Sequence, residues 1–183
     1  MNIFYFNRDV KQCAKEHCDK HVVKMIIEYA QLLSTAHRVL DGTEITIIKN
    51  NRKKKIWLLE DSDFDDVLYA ATHVNHPSAK WVRQCYENYS WLLNLWIQLC
   101  FEYSKRYGKT HKTFSTLFSH LIHAPINIVH DTKFSAPWRA MPDQFKVDKS
   151  QQDYCQLSYQ NYFKTEKKHL ANWKNNEIPK WFV

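Results

Sequence analysis

One long segment, HCDKHVVKMIIEYAQLLSTAHR at 17–38, constrains the fold more than any other part of the chain. On a helix that turns about 100° per residue, its polar side chains form one stripe roughly 80° wide. The members of this stripe are His17, His21, Lys24, Glu28, Gln31 and Thr35. Almost all other positions are apolar, and a helix that is apolar around most of its circumference has to be buried on most sides. The segment therefore predicts a globular fold packed around one central helix.

The stripe brings together an ammonium, a carboxylate and two imidazoles, which are the groups that proteins use to move protons. Burying them without partners would be costly, so we expect them to line a cleft that water or a ligand reaches. A cleft with several titratable groups is the leading candidate for a functional site. The alternative is the solvated face of an ordinary amphipathic helix, on which Lys24 and Glu28 form a pair spaced i, i+4.

Length and composition favour an all-α fold. A chain of 183 residues is most simply one domain over 1–183, large enough to bury its own core. Aromatic residues make up 15% of it and glycine occurs only twice, which suits helices with large core side chains and few tight turns. We predict a compact single-domain bundle of three to five helices with a possible small β-hairpin. The segments are a helix ending before Gly42, a hairpin, a helix from Pro77 to Gly108, a helix over 111–123, an irregular stretch over 124–148 and a helix over about 151–170.

The two glycines are expected in left-handed conformations that end their helices. Five cysteines are odd in number and none is spaced C-x-x-C, which favours a reducing compartment. The longest apolar stretch, 91–100, is too short to cross a membrane, and the first residues lack the pattern of a secretory signal. We therefore expect a cytoplasmic protein, in the host cytoplasm if it is viral, with no membrane partner and no obligatory protein partner.

The formal net charge of +7 favours a polyanionic partner, with nucleic acid first and an anionic membrane surface second. Basic and aromatic side chains together are typical of proteins that hold a nucleic-acid strand. The stripe from 17 to 28 would be about 16 Å long, which suits an elongated ligand. The basic run at 52–55, expected at the hairpin tip, has a simpler interpretation as a solvated turn. The candidate nucleic-acid-binding residues are His17, His21, His76, Lys80, Arg83, Trp138, Arg139, Lys53, Lys54 and Lys55.

The sequence gives less support for a metal site or for a glycine-rich phosphate-binding loop. His17 and His21 have the spacing of a zinc-binding pair, but no second ligand cluster is evident in the sequence. There is no glycine-rich phosphate loop and no G-x-S-x-G turn. We predict neither a metal nor a cofactor.

Several motifs together resemble a known family. The opening NIFYFNRDVKQCAKEHCDKHVVKMIIEYAQLL carries a D-x-H pattern at Asp19 and His21, with Glu28 seven residues after the histidine. The stretch HPSAKWVRQCYENY at 76–89 and the aromatic, basic segment SYQNYFKTEKKHLANWKNNEIPKWF add to the pattern. In these features the chain resembles the pyrimidine-dimer DNA glycosylases of the endonuclease V type, found in phages and bacteria.

The resemblance implies a compact all-α enzyme that acts on duplex DNA with a flipped nucleotide. In that family the N-terminal α-amine attacks C1′ of the damaged nucleotide, the base leaves, and a Schiff base forms before β-elimination. An α-amine is less basic than a lysine, which makes it the better nucleophile at neutral pH. By the resemblance Glu28 would stabilise the cationic sugar and move protons. Because Asn2 is bulky, Met1 is expected to be retained and to supply the amine, with Lys24 providing positive charge nearby. The candidate catalytic residues are thus Met1, Asn2, Glu28 and Lys24.

Two other classes of function fit the same residues. One is an enzyme that processes a nucleotide or a hypermodified base with Glu28 as its general acid or base, including a glycosylase that activates water. The other is a basic nucleic-acid-binding protein without catalytic activity, in which the stripe is structural.

Overall fold

A computed structural model describes all 183 residues and shows a predominantly α-helical protein with one antiparallel hairpin, as predicted. It contains seven α-helices instead of three to five. The elements are α1 (Val10–Glu16), α2 (Asp19–Asp41), β1 (Thr43–Lys49), β2 (Arg52–Leu58), α3 (Ser62–Val67), α4 (Pro77–Val82), α5 (Tyr86–Tyr107), α6 (Lys112–Leu121) and α7 (Tyr154–Glu166), with 3₁₀ turns at Asp143–Phe145 and Lys168–Leu170. Helices α1 and α3 were not predicted, because six or seven residues are too few to show a helical period.

The central helix starts two residues later than predicted. His17 has extended backbone angles and ends α1, and Cys18 precedes the first turn of α2. A buried guanidinium holds this break, because Arg106 of α5 donates to the carbonyl of His17 (2.8 Å) and to the carboxylate of Asp19 (3.1 Å). The same carboxylate accepts from the backbone N–H of Lys174 (3.0 Å). His17 is therefore no part of the helical stripe.

The helix expected from Pro77 to Gly108 is two helices. Pro77 begins α4 as predicted, and the Nδ1 of His76 caps that helix by accepting from the N–H of Ser78 (3.1 Å). Cys85 has extended backbone angles and separates α4 from α5. At the start of α5 the N–H of Tyr86 donates to the carbonyl of Val129 (2.8 Å). Helices α6 and α7 lie inside their predicted ranges, and the stretch between them is irregular apart from one 3₁₀ turn.

A single hydrophobic core joins the N-terminal segment, α2, α5 and α7. Helix α2 runs through its centre against α4, α5 and α6. The indole of Trp96 on α5 donates to the carbonyl of Ile26 (3.0 Å). The segment Ile3–Phe6 is buried beside α2, and its Phe4 N–H donates to the hydroxyl of Tyr29 (3.0 Å). This segment fixes the position of Met1.

The two glycines are required for different structural reasons. Gly108 has a φ of 69° and ends α5 in the left-handed conformation, as predicted. The prediction was wrong for Gly42, whose φ is −95°. A Cβ at Gly42 would lie 2.5 Å from the carbonyl oxygen of Arg38 and 3.0 Å from that of Leu58. Close approach of the backbone explains why this residue is glycine.

The hairpin pairs Thr43 with Leu58 at its base and Lys49 with Arg52 at its end. Its turn is the pair Asn50 and Asn51, whose φ values of 52° and 58° fit the type I′ turn of a two-residue hairpin. The basic run was predicted at the tip, but Arg52 and the three lysines after it lie along β2. The tip holds only the two asparagines because the strands pair right up to it.

Candidate functional site

The amino terminus lies at the start of α4. Ser78 is buried there, and its hydroxyl donates to the carbonyl of Met1 (3.1 Å). Met1 packs against the core and Asn2 beside it is partly exposed. The α-amine is thus held at the N-terminal end of a helix whose first residues flank a cavity described below.

The pKa of His76 depends on the charges that lie near its ring. Burial lowers the pKa of its imidazole below the ordinary 6.5, and the positive charges of the Met1 α-amine and of His73 lower it further. The Glu28 carboxylate acts in the opposite direction and raises it. The charges of the α-amine and of Glu28 therefore both influence the pKa of this ring. Because Nδ1 accepts from a backbone N–H, the neutral ring carries its proton on Nε2 and is a donor there.

Glu28 projects from α2 with 18% of its side chain exposed, and Lys24 one turn earlier is 71% exposed. Their charged groups are 3.2 Å apart. We call the Met1 α-amine, Lys24, Glu28 and His76 the amine–carboxylate cluster. It contains an amine, a carboxylate and a neutral hydrogen-bond donor, which are groups that can carry protons.

The two predicted histidines of the stripe do not reach this cluster. His17 is fully buried, with its ring nitrogens 2.7 Å from the carbonyl of Cys13 and 3.2 Å from the hydroxyl of Tyr29. His21 stacks on Phe4 at 4.1 Å between ring centroids and is 5% exposed. Burial lowers the pKa of His17 to about 4 and that of His21 to about 3. Their predicted place along an open cleft wall is wrong, because both are neutral side chains of the core.

Other members of the stripe and of the D-x-H pattern also have structural roles. The hydroxyl of Thr35 accepts from the N–H of Thr72 (3.2 Å) and holds the loop that leads to His76. Asp19 begins α2 and pairs with Arg106. Val23 and Ile27, expected to be buried, are 40% and 39% exposed. Of Asp19, His21 and Glu28, only Glu28 belongs to the cluster.

A basic groove lies next to the cluster. It encloses about 890 Å³, and its lining includes the two residues that flank His76 in the chain. Four predicted nucleic-acid-binding residues meet in it, although they come from segments more than fifty positions apart. None of the lining side chains is acidic. The lining residues are Leu40, Asn75, Pro77, Lys80, Trp81, Arg83, Gln84, Ser135, Ala136, Pro137, Trp138, Arg139, Lys146, Lys149 and Tyr154.

The two arginines of the basic groove have different partners. The Nη1 of Arg83 is buried without a hydrogen-bond partner, and burial lowers the pKa of its guanidinium while leaving it charged. Arg139 donates to the carbonyl of Val147 and to the hydroxyl of Ser158, and its guanidinium lies 4.8 Å from the ring centroid of Tyr154. Arg83 therefore has one donor without a protein partner, whereas the Nη1 of Arg139 is already paired. Guanidinium groups match the oxygens of a phosphate.

An aromatic side chain stands at the same place. Trp138 is 57% exposed, and its carbonyl accepts from the hydroxyl of Tyr159 (2.8 Å), which fixes the backbone beneath it. Large exposed tryptophans are unusual on a soluble surface and give nucleic-acid bases a face to stack on. Lys146 and Lys149 were not predicted, since they lie in the irregular stretch and its border, where no periodicity marks a face.

The remaining predicted residues, Lys53 to Lys55, lie apart from the basic groove on β2. All three are exposed, and Lys55 pairs with Glu44 across the hairpin (2.6 Å). No group of three or more His, Cys, Asp or Glu side chains is arranged to hold a metal ion. The five cysteines are buried and unpaired. None of the helices combines the length and the apolar character that crossing a membrane requires.

The fold and site thus define a helical protein whose amine–carboxylate cluster adjoins a basic, aromatic groove. Comparisons with models of protein families, with characterised proteins and with solved structures find no match.

Proposed function

We propose that this protein is a DNA glycosylase with AP lyase activity. The observation that carries the proposal is the hydrogen bond from the Ser78 hydroxyl to the Met1 carbonyl, which holds the amino terminus at the start of α4, beside a groove that presents only positive and neutral side chains. The Glu28 carboxylate lies near enough to His76, which caps the same helix, to raise its pKa. A nucleophile and a proton carrier next to a phosphate-binding surface are what base excision through a Schiff base requires. The family resemblance of the sequence supports the same assignment.

The basic groove would hold the sugar-phosphate backbone. Lys80, Arg83 and Arg139 supply cations for the phosphates, and Trp138 supplies a stacking surface for a base that has left the helix. Binding by several phosphate contacts makes affinity fall steeply with salt. The substrate class is duplex DNA with one nucleotide extruded toward the cluster.

The reaction follows from the cluster. The unprotonated α-amine attacks C1′, the bond from C1′ to the base breaks, and the base leaves with a proton. Ring opening and loss of the amine proton give an imine between Met1 and C1′. A proton acceptor on the protein then removes a proton from C2′, and the bond from C3′ to the 3′ phosphate breaks by β-elimination. Glu28 stabilises the cationic sugar and carries these protons in this proposal, with Lys24 beside its carboxylate.

The test is borohydride trapping, which reduces the imine to a stable covalent adduct. The substrates are duplexes containing an abasic site, duplexes carrying pyrimidine dimers, and undamaged duplexes. The proteins are the parent, a form with a blocked α-amine, Glu28→Gln, and Glu166→Gln as an exposed carboxylate control. Intact mass spectrometry of each protein establishes which residue carries the amine.

We expect an adduct with the parent and the control, none with the blocked protein, and binding without strand cleavage for Glu28→Gln. Loss of cleavage in Glu28→Gln with full trapping by the N-blocked protein would assign the nucleophile to a lysine, with Lys24 the first to replace. Cleavage that survives in both variants would overturn the proposal. Salt-dependent DNA binding without any adduct would favour the non-catalytic class instead.

A further inference from the structure

The outer half of the hairpin stands away from the body of the protein. Its strands have seven residues each and span about 24 Å at 3.4 Å per residue. Every residue from Ile48 to Lys55 is exposed, whereas Ile45, Ile47 and Ile56 nearer the base are half-buried. The hairpin is therefore a projecting arm with a packed base.

The base of the arm is held rigidly. Arg38 is buried, and its guanidinium donates to the carbonyl of Trp57 in β2 (2.9 Å), to that of Tyr69 (2.8 Å) and to the carboxylate of Asp65 (2.6 Å). Gly42 allows the end of α2 to approach β2 closely. An arm anchored in this way holds its outer half in a fixed direction.

Cations cover both faces of the arm. Side chains alternate across a strand, so Lys49, Arg52 and Lys54 share one face while Lys53 and Lys55 share the other. The strands contain one acidic residue, Glu44 near the base, and it pairs with Lys55 (2.6 Å). The four cations nearest the turn have no acidic partner.

One apolar side chain interrupts this charge. Ile48 is 77% exposed, one residue before the end of β1 and opposite Lys53. The adjacent Ile47 points to the opposite face and is half-buried, so Ile48 is the isoleucine of the pair that nothing covers. A single apolar side chain near the end of a cationic ribbon is the arrangement by which architectural proteins wedge between base steps from the minor groove.

We propose that the β1–β2 hairpin is a DNA-bending arm: its cations hold the phosphates on either side of the minor groove and Ile48 inserts between two base pairs. The arm starts three residues after Leu40, which lines the basic groove. The inference rests on the proposed function in one respect only, that the partner is duplex DNA. A membrane fits less well, because lipid insertion scales with buried apolar area and the tip offers one apolar side chain among charges on both faces.

The experiment measures bending of an undamaged duplex labelled at both ends with a fluorescence energy-transfer pair. We compare the parent with Ile48→Ser, and use Thr46→Ala, exposed on the same face, as the matched control. The parent and the control should raise transfer on binding, and Ile48→Ser should bind with less than half of that increase. Replacing Lys49, Arg52 and Lys53 by Gln should flatten the dependence of affinity on salt by about 2.7 in logarithmic slope.

Equal bending by the parent and Ile48→Ser would overturn the inference. So would binding to vesicles of anionic phosphatidylserine that Ile48→Ser abolishes while DNA bending is unchanged, since the arm would then serve a membrane. Circular dichroism verifies that the exposed substitutions leave the fold intact. The two proposals fail separately, because adduct formation by the parent tests the catalytic one and Ile48-dependent bending tests this one.

Discussion

Three buried histidines should make the protein sensitive to mild acid. Burial lowers the pKa of His17 and of His37 to about 4, and that of His21 to about 3, from an ordinary 6.5. In mild acid these histidines are therefore protonated in the unfolded chain but neutral in the folded chain. The contribution of this difference to the free energy of unfolding is fully present above about pH 6.5. It is lost as the pH falls toward the pKa values of the folded protein.

The size of the effect follows from the shifts. At pH 5 a histidine with a pKa of 6.5 unfolded and about 4 folded has lost about 2 kcal/mol of its contribution to the free energy of unfolding. Three such residues together reach at most about 6 kcal/mol, which is comparable with the whole stability of a typical domain. The buried carboxyl of Glu16 opposes this fall, because burial raises its pKa.

A single replacement isolates one of these contributions. His21→Phe keeps a ring against Phe4 and Phe163 and removes the titration. Urea denaturation followed by tryptophan fluorescence at about pH 7.5 and about pH 5 gives the loss of stability for each protein. The loss should be about 2 kcal/mol smaller in His21→Phe than in the parent, while the exposed control His169→Gln should match the parent. If His21→Phe loses as much stability as the parent, this histidine does not titrate on unfolding as argued.

Three further perturbations test the basic groove and the hairpin base. Lys80→Gln with Arg83→Gln should flatten the salt dependence of duplex binding by about 1.8 in logarithmic slope, and Lys112→Gln, exposed on α6, should leave it unchanged in the same anisotropy titration. Trp138→Ala should weaken binding of single-stranded DNA by about 1–3 kcal/mol, and equal affinities would remove the stacking role. Gly42→Ala should lower the free energy of unfolding by about 1–3 kcal/mol through overpacking, and a calorimetric midpoint equal to the parent's would contradict the close approach.

Local sequence patterns predicted what depends on neighbours in the chain. The two β-prone runs predicted the hairpin, and Pro77 predicted the start of α4. The start of α2 depended instead on Arg106, which lies eighty-nine positions from His17 and holds its carbonyl. No period in the sequence contains that contact, so the break between α1 and α2 was missed.

The candidate site was likewise predictable only in part from local sequence patterns. Helical periodicity gives the angles between side chains but leaves open which face is turned inward. The exposed face of α2 is centred between Val23 and Lys24, and His21 at its edge is buried under Phe4 and Phe163. Glu28 remained at the site because it lies on the boundary between these two faces.

The carboxylate of Asp19 joins residues that lie far apart in the sequence. It accepts from the N–H of Lys174 and from the side chain of Asn172, and Trp181 stacks on Phe6 in the segment that leads to Met1. Contacts of such large sequence separation form late during folding. Met1 therefore takes its final position only when the segment around Trp181 has folded onto Phe6, so a partly folded chain carries its amine outside the surroundings described above.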